Sequence, residues 1–388
     1  MDAVMLDKTA ALEIRPVESA EDLKTFIRMA SAIYADDPNY VAPLEYELSA
    51  RLNADKNPTI KGLPVRRWIV YKNGVPAGRI QALVNKAHLD CHQDGAGHFG
   101  FFECIDDQAV AHLLLKTAGD WLKGQEGVTK ILGPFNNSIN EETGLLISGF
   151  DAPPYVMMPH GRPYYASLLE AEGFSKAVDM HALEYVPRPQ LMPDKRQRFI
   201  DKALSNPKVA FRNIDMSDFK AEIRRLIHIF NDAWSDNWGF IPFTEDQIDH
   251  MAAELRPIIS PYNVVFCDYD GEPAAFSLVL PDVNNLTRDF GGKLLPFNWA
   301  KLVWRLKIKP IPRARMPLMG VVRKLQRKPV GTALAYKMIQ MSQDANVSRG
   351  VVHSELSWIL ENNESMLSLL LDMGAEIYKT YRMYEKPL

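Results

Sequence analysis

From residue 316 to 340 the chain reads MPLMGVVRKLQRKPVGTALAYKMIQ, and here residue type and spacing first suggest chemistry. An apolar run with strand character, 318–322, leads into a turn carrying Arg323, Lys324, Arg327 and Lys328. Gly331 then opens a helix with apolar positions at Leu334, Met338 and Met341. The first N–H groups of a helix have no intrahelical partner, and the helix dipole adds positive charge there, so a cationic strand–turn–helix corner can cradle an anion. An ordinary helix start has much the same pattern. Further along, His353 and Glu355 occupy alternate positions of a strand pattern, 351–360, and would share one face. Asn136, Asn137, Asn140 and Glu141 cluster directly after another strand pattern, 130–135; they suit a polar ligand or a helix cap with Asx turns. Glu103 lies inside the aromatic run FGFFEC, where a carboxylate is costly to bury without a partner or a task. His88, Cys91, His92 and His98 match no tight zinc spacing, and no metal is expected.

The elements that must position these residues follow from periodicity and punctuation. Ser19 caps a helix to about Tyr34, with Ala20, Leu23, Phe26, Ile27 and Ala30 as its apolar stripe. A hairpin turns at Asn73-Gly74; its second strand, 75–84, is expected to run on into HLDCHQDGAGH. Asp106 and Asp107 cap a helix over 108–123, and residues 178–186 form a strand that closes the first unit. A Pro-rich charged linker, 187–207, opens into a connecting helix. The second unit repeats the plan: helices over 216–234 and 245–255, a hairpin turning at Asp270-Gly271, the corner described above, a strand, a helix ended by Gly374, and a last strand over 376–386. Ser167-Leu168-Leu169 with Gly173 aligns with Ser368-Leu369-Leu370 and Gly374 at an offset of 201, and the same offset carries Glu184 onto Glu385. Two βα units are the economical reading: 1–186 and 216–388, joined by 187–215.

Composition excludes several classes. With 388 residues, 47% apolar and 24% charged, the chain has material for two substantial cores. A net charge of −3 gives no global reason to expect nucleic acid. Three widely spaced cysteines argue against a disulfide framework and for a reducing, cytoplasmic setting. The acidic N-terminal stretch lacks the apolar core of a secretory signal, and no run approaches the roughly 18 apolar residues of a spanning helix. Between Phe290 and Gln343, however, there is no Asp or Glu, against twelve Lys and Arg. Within that region Trp299, Leu302, Val303 and Leu306 would form one helical face, with Lys301, Arg305 and Lys309 away from it. Such a segment reads as a contact with an anionic membrane through 290–328, as a lid over an acyl channel, or as packing against the first unit. Nucleic acid would need a recognition motif that the segment lacks.

At the corner, Lys328, Gly331 and Ala333 occupy the three positions of the pattern Q/R-x-x-G-x-G/A, with lysine in place of glutamine or arginine. Here the chain resembles the GNAT superfamily of acyl-CoA N-acyltransferases, in which this turn wraps the coenzyme A pyrophosphate. Asn363 and Gly374 fit the superfamily's terminal pattern N-x-x-A-x-x-x-Y-x-x-x-G, while Met366 and Leu370 replace its alanine and tyrosine. That tyrosine protonates the departing thiolate in many members, so the acid is absent here or replaced. FGFFECIDD (99–107), GPFNNSINEETGLLISGFDAPP (133–154), DNWGFIPFT (236–244), LPFNWAKL (295–302) and SELSWILENN (354–363) are similar to a narrower group, the tandem-GNAT proteins that include the bacterial ceramide synthases.

The resemblance implies an α/β (α+β) fold of two GNAT-like units in tandem, each a mixed central sheet flanked by helices. It implies N-acylation of a long-chain sphingoid amine, 3-oxosphinganine or sphinganine, by fatty acyl-CoA, with acyl carrier protein as the second choice of donor. The coenzyme would lie in the second unit, on Val321, Val322, Arg323, Lys328, Gly331, Thr332 and Ala333, with Asn363. In the first unit the matching corner is Asp106-Asp107, which suits capping and repels a pyrophosphate, so that unit is expected to be degenerate and to shape the acceptor pocket. Asn136, Asn137, Asn140, Glu141, Trp238 and Trp358 are the acceptor-binding candidates. Glu355 or His353 would take the amine proton, unless Glu355 only pairs with a lysine; Glu103 is a further catalytic candidate. Tyr381 or Tyr384 would replace the acid, unless both are core. No cysteine sits in a nucleophile setting, which favours direct attack of the amine on the thioester. Two other readings stay open: the same fold acting on an amino acid or peptide amine, and a non-catalytic sensor of lipid or acyl-CoA.

Overall fold

The computed structural model describes residues 11–186 and 194–388. The strands are β1 Leu12–Pro16, β2 Val65–Lys72, β3 Val75–Leu83, β4 Ala96–Cys104, β5 Lys130–Gly133, β6 Leu145–Ser148, β7 Ser175–Tyr185, β8 Val209–Asn213, β9 Val264–Tyr269, β10 Glu272–Pro281, β11 Arg313–Val321, β12 His353–Leu360 and β13 Glu376–Pro387. The helices are α1 Ala20–Ile33, α2 Glu45–Arg51, α3 Lys86–His92, α4 Gln108–Lys123, α5 Tyr165–Ala171, α6 Asp194–Leu204, α7 Phe219–Trp234, α8 Glu245–Leu255, α9 Val283–Thr287, α10 Asn298–Ile308, α11 Arg323–Gln326, α12 Pro329–Val347 and α13 Glu364–Asp372.

Local signals act as expected at several ends. Ser19 caps α1, in a capping box with Asp22, and Asp107 accepts from Ala109 and Val110 at the start of α4; α8 begins with a further box, Thr244 with Gln247, that the sequence reading did not name. The expected continuation of the strand into HLDCHQDGAGH is corrected. Asn85 accepts from the His88 N–H and starts α3, so a side-chain cap wins over strand continuation. Of the expected linker, 187–193 lies outside the described residues, as does the N-terminal stretch 1–10; α6 is the connecting helix, and β8 adds an edge strand that the sequence pattern did not predict.

All thirteen strands belong to one mixed sheet, in the order β1-β2-β3-β4-β5-β13-β7-β12-β11-β10-β9-β8, with β6 also pairing β13. The closing strands therefore change sides. Strand β13, from the end of the chain, pairs with β5 and β6 of the first half, while β7 pairs with β12 of the second. Between them β7 and β13 run antiparallel, with Glu376 opposite Glu184 and Glu385 opposite Ser175. Those positions are related by the offset of 201, so the two strands meet as symmetry mates about a local two-fold axis at the centre of the sheet. Cores form on both sides of this seam. Leu114, Leu115, Ala118 and Leu122 of α4 are buried in the first half, Ile223, Leu226, Ile227 and Phe230 of α7 in the second, and Tyr381 and Met383 of β13 at the seam itself. Fully burying each large apolar side chain contributes about 1.5–3 kcal/mol.

Exchange of the closing strands makes each half complete only in the presence of the other. Thermal unfolding followed by tryptophan fluorescence and by far-UV circular dichroism should give one coincident transition. Two separated transitions would mean that the halves fold independently.

Candidate active site

Strands β11 and β12 are parallel and paired from Arg313 opposite His353 to Met316 opposite Leu356. Beyond that point they part: β11 continues against β10 to Val321, and β12 continues against β7 to Leu360. The gap is a cleft of about 790 Å³, walled by Met316, Met319 and Val321 on one side and by Leu356, Trp358 and Leu360 on the other. Gln326, Arg327, Gly331 and Thr332 of the basic corner close one end, and Asn363 with α13 lies across it. Gly331 has no room for a side chain: a Cβ there would lie 2.0 Å from the Leu325 carbonyl oxygen, so the α11–α12 turn can be this tight only with glycine. Arg327 and Lys328 make no ion pair among the described residues, whereas Arg323 is held by Asp236 at 2.9 Å and its N–H by Asp232. Ala333 is packed in the core beneath the helix rather than in the cleft. Val322 is half-buried beside the corner, its N–H bonded to the Ala274 carbonyl.

The matching place in the first half is shut. Strands β4 and β5 pair in parallel from Ala96 to His98, but the Phe99 carbonyl then accepts from the Phe135 N–H at 2.7 Å. The Asn136 Oδ1 accepts from the Phe101 N–H at 2.7 Å, and a Cβ on Gly100 would lie 1.7 Å from the Phe135 carbonyl oxygen. Asn136 is thus a plug, bonded also to Glu142. Asn137 is fully buried, between Gln81 and Glu141. Neither lines the cleft or the cavity beside it. Asn140, Glu141, Trp238 and Trp358 do: they line a second cavity of about 270 Å³ with Met180, Phe230, Phe240, Phe243, Met251, Leu278, Leu280 and Leu318. Trp234, Asn237, Trp238, Pro317, Trp358 and Leu360 line both spaces, so the two meet where the strands part. The Trp358 Nε1–H, at this junction, is buried without a hydrogen-bond partner among the described residues.

Glu355 lies behind the junction, fully buried, and lines neither space. Its carboxylate accepts from Ser357 Oγ at 2.6 Å and from the Tyr378 hydroxyl, and Arg315 Nε stands 3.4 Å away. Arg315 also donates to the Val156 carbonyl at 2.9 Å. Burial, then the Glu355 charge, pushes the Tyr378 hydroxyl far above its usual range, so it stays a donor. Beside this pair, Asp282 and Arg313 stand 3.1 Å apart; burial raises the Asp282 carboxyl to about 7. Lys379 is fully buried, donates to the Ala152 carbonyl at 2.6 Å and is lowered by burial to about 8. These side chains from the second half grip the segment 152–157 of the first.

The remaining candidates separate from this centre. His353 is exposed at the far end of β12 and pairs with Glu184 at 3.1 Å. Tyr381 is fully buried in the seam core, its hydroxyl raised by burial, and Tyr384 is bonded to Glu170. Glu103 accepts from Tyr165 at 2.7 Å in the first half, with its pKa raised by burial. His88 packs tilted against His92 and edge-on against His98, and no group of three metal-ligating side chains forms among the described residues. Arg313, Arg315, Ser357, Tyr378, Lys379 and Arg51 went unnoticed in the sequence. A signal existed for the first two: RAR at alternate positions of an otherwise apolar strand is costly unless paired.

No family model matches the chain. It is 40% identical to the bacterial ceramide synthase of Caulobacter vibrioides, over 98% of both chains, and 39% identical to Protein YghO of Escherichia coli K12, over 97% of this chain and 95% of that one. Among solved structures it is similar to a tandem GNAT protein from the clavulanic acid biosynthesis pathway (TM-score 0.55, 12% identity, 97% and 98% of the chains covered). A GCN5-related N-acetyltransferase from Sphaerobacter thermophilus is alike to the same degree (TM-score 0.55, 12% identity, 97% and 95% covered).

Two predictions follow from the buried charges. Replacing Arg315 by Met strands Glu355 as an uncompensated buried carboxylate, at about 3–5 kcal/mol, and should lower the urea midpoint sharply; an unchanged midpoint would mean that the pair carries little weight. Asp282, with its folded pKa raised to about 7 from 3.8, holds a proton in the folded chain where the unfolded chain has lost it. Its contribution to stability is therefore lost as pH rises from about 4 through about 7. Asp282→Asn should flatten that part of the pH–stability curve, and parallel curves for the two proteins would contradict it.

Proposed function

The chain belongs to the family of the bacterial ceramide synthase and is an acyltransferase of the tandem GNAT fold, and from this we propose that it joins a fatty acyl group from acyl-CoA to the amine of 3-oxosphinganine or sphinganine. The observation that carries the reading is the cleft between β11 and β12, open beside a corner whose Arg327 and Lys328 have no ion pair among the described residues, while its first-half counterpart is plugged by Asn136. In this reading the coenzyme phosphates lie against Arg327, Lys328 and the start of α12, and the thioester reaches into the gap. Past Met316 and Leu356 the facing strand edges make no ladder bonds with each other among the described residues, and in this reading N–H groups along the gap hold the donor and the developing oxyanion. The lipid amine sits in the second cavity, against Asn140, Glu141, Trp238 and Trp358. Contact with an anionic membrane runs through 290–328. The two repeats, 1–186 and 216–388, then divide the labour: the second binds the donor, and the first closes the acceptor side.

The amine nitrogen attacks the carbonyl carbon, the C–S bond breaks, the amine loses a proton and the thiolate gains one. Glu355 is a positioning residue in this scheme: it fixes Ser357, which lines the cleft, and Arg315, which lines the second cavity. It does not touch substrate.

Incubation with palmitoyl-CoA and either amine should give a new amide by mass spectrometry; palmitoyl-CoA binding with no product from either amine would overturn the reading in favour of a sensor. Arg327→Glu should raise the KM for palmitoyl-CoA about ten-fold or more with a smaller change in kcat, and an unaltered KM would place the phosphates elsewhere.

A further inference from the structure

Helix α10 has no buried residue. The face expected to pack is instead split: Leu302, Arg305 and Leu306 are half-buried, Arg305 being tied to Asp289 at 2.6 Å, while Trp299 (52% exposed), Val303, Trp304 and Ile308 point outward, together with Leu295 and Phe297 before the helix. Six large apolar side chains, interleaved with Lys293, Lys301, Lys307 and Lys309 on the acid-free stretch, make a surface suited to an anionic bilayer.

The position of this surface relates it to the second cavity. Ahead of α10, the Gly292 carbonyl accepts from the Glu45 N–H, the first residue of α2, at 2.9 Å. Near its other end, Lys307 donates to the Pro257 carbonyl at 3.5 Å, two residues beyond the end of α8. Helices α2 and α8 are the two that line the outer part of the cavity, through Glu47 and Arg51 on one and His250, Met251 and Glu254 on the other. Glu47 and Glu254, with side chains 48% and 59% exposed, mark the open side. Four carboxylates stand there against one guanidinium: Arg51 lies 3.7, 3.2 and 3.0 Å from Glu47, Glu141 and Glu142, and Glu254 is within electrostatic reach of Glu47. Inward, the lining is apolar as far as Trp358 and Pro317 at the donor cleft.

We propose that the gap between α2 and α8 is a membrane-facing portal through which a cationic single-chain lipid passes directly from the bilayer into the cavity, with α10 seating the portal on the membrane. The acidic rim selects an ammonium headgroup. The alkyl chain follows along the Phe, Met and Leu lining, and the amine comes to rest at the junction where the thioester is presented. The portal rests on the reading of the chain as a long-chain amine acyltransferase, and it adds the route and the charge selection.

Full-length protein is tested in two arms. In the first, sphinganine is supplied either in phosphatidylcholine–phosphatidylglycerol vesicles or dispersed in detergent. Trp299→Ser with Trp304→Ser should lower the ratio of vesicle to detergent activity at least five-fold, and Glu47→Lys with Glu254→Lys should raise the KM for sphinganine at least ten-fold. An unchanged ratio together with an unchanged KM overturns the portal, as does a rise confined to the KM for palmitoyl-CoA. The second arm needs no turnover, so it separates failure of the portal from failure of the proposed reaction. A spin-labelled C18 amine should quench the tryptophans lining the cavity saturably, and the Glu47→Lys, Glu254→Lys variant should weaken that binding at least ten-fold. Equal or tighter binding of the matching spin-labelled fatty acid would overturn the charge selection and give the cavity to an acyl chain.

Discussion

Two antiparallel strands at the centre of the sheet hold the rest of the molecule in place. Because β7 and β13 pair as symmetry mates and each then joins the opposite half, neither half has a complete sheet of its own. The same strand β13 carries Tyr378 and Lys379 to the boundary between the halves, where Tyr378 meets Glu355 of β12 and Lys379 fixes the 152–157 segment of the first half. A buried ion pair is weak evidence for net stability. Its value here lies in alignment: Arg315 reaches from β11 to Glu355 and Ser357 of β12 and to the Val156 carbonyl of the first half, so one guanidinium ties together the strands that part and the segment lying across them.

That arrangement also underlies the proposed division of labour. Where β11 and β12 separate, a cleft opens; where β4 and β5 would separate, Phe135 and Asn136 fill the gap. The first half gives up its own cleft and supplies one wall of the second cavity, through α2 and 138–142. Two spaces of different character then share a boundary at Trp358 and Pro317. One ends in cations, and the other is apolar with a negative rim, the contrast on which the proposed pairing of a phosphate-bearing donor with an amine-bearing lipid rests.

Much of this was legible in the chain, for physical reasons that differ by level. Caps and turns are local, so Ser19, Asp107, Asn73-Gly74 and Asp270-Gly271 could be read directly; α3 was missed because a single Asn cap outweighed strand periodicity. The basic corner was legible since glycine and cations lie within nine residues of one another. The repeat offset was visible too, but not the exchange, because the same register serves a strand that closes its own half or its neighbour's. Side-chain roles were least legible. Glu355 and His353 share strand parity, yet one is buried behind the junction and the other exposed at the strand's far end. The Asn136-Asn137 pair looked like a ligand site and proved to be the packing of a closed cleft. Periodicity gives the face of a strand, while depth along it depends on neighbours distant in sequence.

Central to this account is the claim that the acyl donor lies in the second half and meets the lipid cavity at the splay of β11 and β12. A palmitoyl-CoA analogue with a photoreactive diazirine next to the thioester, cross-linked to the full chain and mapped by peptide mass spectrometry, tests it most directly. Labelling should fall within 316–321 and 356–363, be suppressed by excess palmitoyl-CoA and be lost in Arg327→Glu. Specific labelling of 99–104 or 133–142 instead would put the donor in the first half and contradict the account.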